Sequence, residues 1–132
     1  MKSMNFFMHM QPPEITHQQK RAGVRNGKVF FYENAKLADA RAKLAAHLSG
    51  HVPVVKFDGP LQCVVKWCFP ICGDHCHGEW RDTKPDTHNL NKLLFDVMTD
   101  LGFWVDDARV ASEVIQKFWS DTPGIFVEIT RL

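Results

Sequence analysis

Leu90, Leu93, Leu94, Val97, Met98 and Leu101 recur at helical spacing, and Gly102 follows as the stop. A helix patterned this way must bury one stripe against something flat and apolar. The run Leu61-Gln62-Cys63-Val64-Val65-Lys66-Trp67-Cys68-Phe69 has the composition of the strand that would receive it. An Ala-rich segment from an N-cap at Asn34 to about Leu48 predicts a second helix, closed by Ser49-Gly50. Its stripe is narrow, carried by Leu37, Ala40, Arg41, Leu44 and Leu48. Short strands are expected at 6–10 and 29–32, and longer ones at 110–119 and 125–132, turning at Asp121-Thr122-Pro123-Gly124. Residues 11–28, with Pro12-Pro13 and the turn Asn26-Gly27, read as a polar loop, and residues 70–85 as a second loop. The order β-β-α-β-α-β-β predicts one α+β domain over residues 1–132, a single mixed β-sheet with two main helices packed on it.

Composition excludes several classes. Hydrophobic residues are 45% and charged residues 23% of the 132, the balance of an ordinary globular protein. No apolar run approaches the roughly 20 residues that span a bilayer, so no membrane partner is expected. The start resembles a signal peptide only superficially: its apolar stretch is short, and Pro12, Pro13 and Glu14 stand where a cleavage site belongs. A cytoplasmic protein is the expectation. Net charge is +1, but residues before 57 carry nine Lys/Arg against three acids, +6, and the remainder carries seven against twelve, −5. A basic half joined to an acidic half suits a metal-dependent enzyme that grips a polyanion, or else two solvated faces.

The acidic half contains the chemistry. Lys84-Pro85-Asp86-Thr87-His88-Asn89-Leu90-Asn91-Lys92 gathers a carboxylate, an imidazole and a lysine at a helix start, and Asp106-Asp107 follows the helix. Such a set can hold a hard cation that works on phosphates. The plain alternative is that Asp86 is an N-cap and Asp106-Asp107 a turn. Helix phase sets His88, Lys92, Phe95 and Thr99 opposite the apolar stripe, with Lys92 one turn beyond His88 and within reach of a group held at the helix start. An i,i+4 pair between Lys92 and Asp96 is the alternative use of that lysine.

The segment Lys84-Pro85-Asp86-x-x-Asn89-x-x-Lys92, with Asp106-Asp107-Ala108-Arg109-Val110, resembles the RusA family of crossover-junction endodeoxyribonucleases, the Holliday junction resolvases. Trp67-Cys68-Phe69-Pro70, Gly102-Phe103-Trp104 and the basic Gln-rich loop are similar to phage- and Gram-positive-type members. The resemblance implies a homodimer that binds four-way or branched DNA and uses Mg²⁺, with Mn²⁺ possible, to nick two opposed strands. It implies Asp86, Lys92 and Asp107 as catalytic residues, and Asp86, His88, Asp106 and Asp107 around the metal. DNA contacts fall to Lys20, Arg21, Arg25, Lys28 and Lys84. One position departs from the family pattern: His88 stands where the second motif acid is expected, which removes a negative charge and suits softer metals. The rival expectation is therefore a non-catalytic branched-DNA-binding protein with a weakened metal site.

Two clusters remain. Cys68, Cys72, His75, Cys76 and His77 crowd into ten residues beside the acidic motif but match no zinc-finger spacing. A flexible loop with reduced thiols is expected, with a structural Zn²⁺ and a zinc-stabilised scaffold as the alternative. Trp67, Trp104, Trp119 and most Phe are expected in the core or a dimer interface. Phe95, placed away from the stripe, is expected in a dimer contact or as a wedge into a junction.

Overall fold

The computed structural model describes residues 2–15, 21–25, 28–32 and 35–132, the two short segments 21–25 and 28–32 by backbone alone. Six strands are present: β1 (Ser3–Met8), β2 (Arg21–Arg25), β3 (Lys28–Tyr32), β4 (Leu61–Pro70), β5 (Val110–Ser120) and β6 (Gly124–Arg131). Two helices, α1 (Ala35–Leu48) and α2 (Thr87–Leu101), separate them. Four strands form one mixed sheet in the order β1-β6-β4-β5, and β2 pairs with β3 in a separate two-stranded sheet.

Strand β4 organises the rest. Leu61, Cys63, Val65, Trp67 and Phe69 are fully buried, while the residues between them are partly or fully exposed, so one face of the strand is core. β4 runs parallel to β5 and antiparallel to β6. A parallel neighbour requires a crossover, and α2 provides it, laying Leu90, Leu93, Leu94, Val97 and Met98 into the core. α1 adds Leu37, Ala40, Leu44 and Leu48 to the same core. α2 ends at Gly102, whose φ of 92° is the left-handed conformation that glycine adopts without penalty. Beyond it, Phe103 accepts a backbone bond from Phe57, tying the segment between α2 and β5 to the segment that leads into β4.

A polar pair inside this core sets the rotation of α2. Asn91 is only 1% exposed; its Oδ1 accepts the buried Trp67 indole N–H at 2.7 Å, and its Nδ2 donates to Glu113 Oε1 at 3.0 Å. One side chain thus joins α2 to β4 and β5. Replacing it with an apolar residue strands the indole, at a cost of about 1–3 kcal/mol.

Several expectations are corrected. Residues 21–25, read as loop, form a strand, because a short polar strand paired only to β3 carries no alternating apolar signal. The sheet is accordingly not single. β1 lies earlier than expected, ending at Met8, because its register runs from Ser3 opposite Thr130 to Met8 opposite Ile125. The turn between β5 and β6 falls where it is expected, and the two strands are separated in the sheet by β4. Phe95 is buried, not turned outward: the chain returning after α2 lays Trp104 against it, ring centroids 5.3 Å apart and nearly perpendicular. That contact removes Phe95 as a wedge or dimer residue. Trp67, Trp104 and Trp119 are buried as expected. Asn34 and the turn at 26–27 lie outside the described residues.

A Cβ at Gly124 would collide with the Phe7 ring and the Met8 carbonyl, whereas one at Gly50 would meet nothing. Gly124→Ala is expected to destabilise the fold by about 1–3 kcal/mol in a urea titration, and Gly50→Ala to be neutral within about 0.5 kcal/mol.

Candidate active site

The start of α2 is held from outside the helix. Lys117 on β5 donates from Nζ to the carbonyls of Thr83 at 2.5 Å and Pro85 at 2.7 Å. Arg81 donates from Nη2 to the Lys84 carbonyl at 2.6 Å, from Nε to Thr83 Oγ1 at 3.1 Å, and from Nη1 to Glu14 at 3.0 Å. Its guanidinium lies 4.3 Å from the Phe69 ring centroid and 4.6 Å from that of Trp119. Burial, and then the charge of Arg81, lower the pKa of Lys117. Two cations therefore grip three successive carbonyls immediately before Asp86. Neither was a candidate from sequence, because they lie far apart in the chain and share no local spacing.

Asp86 occupies the N-cap position with extended backbone, yet its side chain makes no capping bond. Its Oδ2 instead accepts a long bond, 3.4 Å, from Asn89 Nδ2. The carboxylate is exposed, as are His88 and Lys84. Asp106 behaves otherwise: it caps the short 3₁₀ turn Asp107–Arg109, accepting the Ala108 N–H at 2.9 Å. The turn reading thus describes Asp106, and the capping reading does not describe the Asp86 side chain.

Further along α2, a cleft of about 340 Å³ is lined by Arg41, Lys92, Asp96, Thr99, Asp100, Val105, Asp106 and Asp107. Lys92 Nζ donates to Asp96 Oδ1 at 3.1 Å, so the i,i+4 pair forms and turns the lysine along the helix toward Asp106 and Asp107, away from the helix start. The bond and charge of Asp96 raise the Lys92 pKa, with smaller contributions from Asp107 and Asp106. Burial raises the pKa of Asp107; Lys92 opposes this, while the hydrogen bond and charge of Asp106 and the charge of Asp96 reinforce it. The Ala108 N–H and the bond with Asp107 lower that of Asp106. Two carboxyl groups in contact, one favouring its proton and one its charge, share a cavity with a lysine.

The structure brings together Lys92, Asp106 and Asp107. The lining of the cleft includes neither Asp86 nor His88, and among the described residues no three His, Cys, Asp or Glu side chains converge as a metal-holding group. Asp106 and Asp107 fit a hard divalent ion by donor type, and a cation between them would relieve their mutual repulsion. Of the expected DNA contacts, Lys20 lies outside the described residues, while Arg21 and Arg25 fall on β2 and Lys28 on β3.

The second half of the Cys/His loop is bonded to β5. Gly78 donates to the Trp119 carbonyl, Trp119 to that of Glu79, and Arg81 to that of Lys117, so residues 78–81 cover part of the outer edge of β5. His75 stacks on Trp119 at 4.4 Å and contacts Glu79 Oε2 at 2.6 Å, and His77 Nδ1 accepts the Asp121 N–H at 3.1 Å. All four cysteines are free thiols, and burial pushes Cys63 up to about 12.

Residues 12–130 match the family described as Endodeoxyribonuclease RusA. The chain is 29% identical over 129 residues to a crossover junction endodeoxyribonuclease rusA of Lactococcus phage r1t, covering 96% of this chain and 97% of that protein. It is 26% identical over 143 residues to the uncharacterized protein YqaN of Bacillus subtilis strain 168, covering 100% and 99% respectively. No helix among the described residues is long and apolar enough to cross a membrane.

Two outcomes follow from this geometry. Because the folded-state pKa of Asp107 is raised, the stability it contributes is present below its unfolded pKa and lost as pH rises through its folded pKa. Asp107→Asn is therefore expected to raise the melting temperature at pH 7 by up to about 3 °C, with the gain shrinking in acid, as followed by calorimetry from pH 3 to 7. Arg81→Ala is expected to lower unfolding free energy by about 2–3 kcal/mol in urea, since it strands a carbonyl and opens the Phe69–Trp119 stack.

Proposed function

The chain belongs to the RusA endodeoxyribonuclease family, and from that membership we propose that it is a metal-dependent, structure-selective DNA endonuclease that resolves Holliday junctions by paired nicks in recombination and repair. The observation that carries the reading is the cleft in which Lys92 meets the touching Asp106 and Asp107 carboxyls. Support for Asp86 and His88 is the resemblance of their motif, together with an Asp86 carboxylate not occupied in capping.

In this reading Asp106 and Asp107 would hold Mg²⁺ or Mn²⁺, which would activate water and screen phosphate charge. The motif resemblance adds Asp86 and His88 as ligands, although they stand at the other end of α2, outside the cleft lining. Asp96 and the Asp106–Asp107 pair keep Lys92 protonated, so it meets the scissile phosphate as a full positive charge. It stabilises the transition state or the leaving oxygen. Arg81 and Lys117 position Asp86 by gripping the carbonyls before it. A two-fold dimer would present equivalent clefts to opposed strands, with Lys20, Arg21, Arg25, Lys28 and Lys84 holding the backbone phosphates.

A second reading, a non-catalytic junction-binding protein, is favoured by His88 in the acidic position and by the lack of a three-ligand cluster among the described residues. A four-way-junction assay separates the two. Paired nicking is expected with Mg²⁺ or Mn²⁺, falling about 100-fold or more in Asp107→Asn. His88→Asp is expected to keep or raise Mg²⁺-dependent nicking, and a clear loss would give His88 a role of its own. Binding without nicking in either metal establishes the second reading.

A further inference from the structure

Trp80 is the one tryptophan that the core does not take. Trp67 and Trp104 are fully buried and Trp119 is 6% exposed, whereas Trp80 is 62% exposed. The exposed ring is nonetheless firmly placed. Residues 78–81 lie along the outer edge of β5: Gly78 donates to the Trp119 carbonyl at 2.8 Å, Trp119 to that of Glu79 at 2.8 Å, and Arg81 to that of Lys117 at 3.0 Å. Side chains of a paired segment alternate between the two faces of a sheet. Arg81 accordingly reaches the helix side, against Phe69 and Trp119, and Trp80 takes the opposite side, where it is the bridge partner of Phe118. The Trp80 and Phe118 ring centroids are 4.5 Å apart, with 32° between the planes.

The neighbours of the ring decide what can cover it. Phe118 lies opposite Cys68 of β4, and Gln116 opposite Lys66, so Lys66 projects from the same outer face one diagonal step from the aromatic pair. Lys66 is exposed, and its ammonium lies 5.5 Å from the Phe126 ring centroid. A fixed aromatic surface beside a lysine suits a nucleotide, whose base stacks on the ring while its phosphate meets the cation. An apolar protein surface docked here would instead strip water from that lysine. Position in the chain points the same way. Trp80 stands four residues before Lys84 and six before Asp86, and its neighbour Arg81 donates to the Lys84 carbonyl at 2.6 Å. Intact duplex hides the faces of its bases in the stack, whereas a branch can release one.

We propose that Trp80, backed by Phe118 and flanked by Lys66, is a stacking platform for a nucleobase unstacked at a DNA branch. The proposal rests on the nuclease reading for its substrate, and it is tested without cleavage. Indole emission of the full chain is followed in EDTA as a four-way junction, a dT oligonucleotide or an intact duplex is added, with binding measured in parallel by anisotropy of labelled DNA. The other three tryptophans are buried, so quenching by a stacked base reports on Trp80. Saturable quenching is expected with the junction and the dT oligonucleotide, and none with duplex or in Trp80→Ala. Trp80→Ala is expected to weaken junction binding about tenfold at an unchanged log–log salt slope, and Trp80→Phe to stay within about threefold of native because it keeps an aromatic face. Lys66→Gln is expected to reduce the slope by about one. Quenching of native protein needs no substitution, so it decides even if Trp80→Ala fails to fold. Bound junction without quenching, unchanged affinity in Trp80→Ala, or an unchanged slope in Lys66→Gln would each overturn the proposal. So would a Trp80→Ala chain of altered oligomeric state in sedimentation, which gives the ring to a second copy. Junction that is bound and quenches but is never nicked in Mg²⁺ or Mn²⁺ sinks the nuclease reading and leaves the platform standing. Native protein that binds neither junction nor dT oligonucleotide removes both.

Discussion

A tryptophan indole buried in the middle of a sheet needs an acceptor, and α2 supplies one through Asn91. Apolar packing sets which stripe of α2 is buried, but it is non-directional and leaves small rotations open. The Trp67–Asn91–Glu113 bonds remove that freedom, because any rotation leaves a buried donor unpaired. Lys92 is the next residue and Asp96 is one turn beyond it. The direction of the lysine, and with it the charge arrangement of the cleft, is inherited from one buried amide.

The same crossover places the other half of the site. β5 lies parallel to β4, so the chain leaving α2 must return to the starting end of β4 before the strand can begin. Asp106 and Asp107 sit on that return, at the end of α2 and the start of β5. β5 then carries Lys117 to the opposite end, where it meets the Thr83 and Pro85 carbonyls. One βαβ unit thus sets the acid pair at one end of the helix and an anchor for Asp86 at the other. Within the cleft, Asp107 is kept toward its protonated form by burial and by like charge. The fold carries a local electrostatic cost that a bound cation would remove, which is the pattern expected of a working site.

Much of this was legible in residue order. The stripe Leu90–Leu101, the glycine that ends it and the strand at 61–69 reflect local rules, and all three lie within a residue or so of their expected places. Asn91 offered a signal, a polar residue inside an apolar stripe, though its partners were hidden. Phe95 misled because helix phase assumes one buried side, while Trp104 covers a second. Residues 21–25 misled because their pairing strand, not their own composition, makes them a strand.

The sequence by itself determined the family, the two helices, the central strand and the residue types of the acidic motif. Those depend on periods of two and 3.6 residues and on short spacings, which are properties of neighbours in the chain. Only the tertiary structure decided that Asp106 caps a turn while the Asp86 carboxylate does not cap, and that Lys92 faces Asp96 rather than the helix start. It alone brought Arg81, Lys117 and Arg41 to the two ends of α2. The physical reason is that hydrogen bonds and ion pairs act over a few ångströms of space, and the crossover from β4 to β5 makes distant residues near.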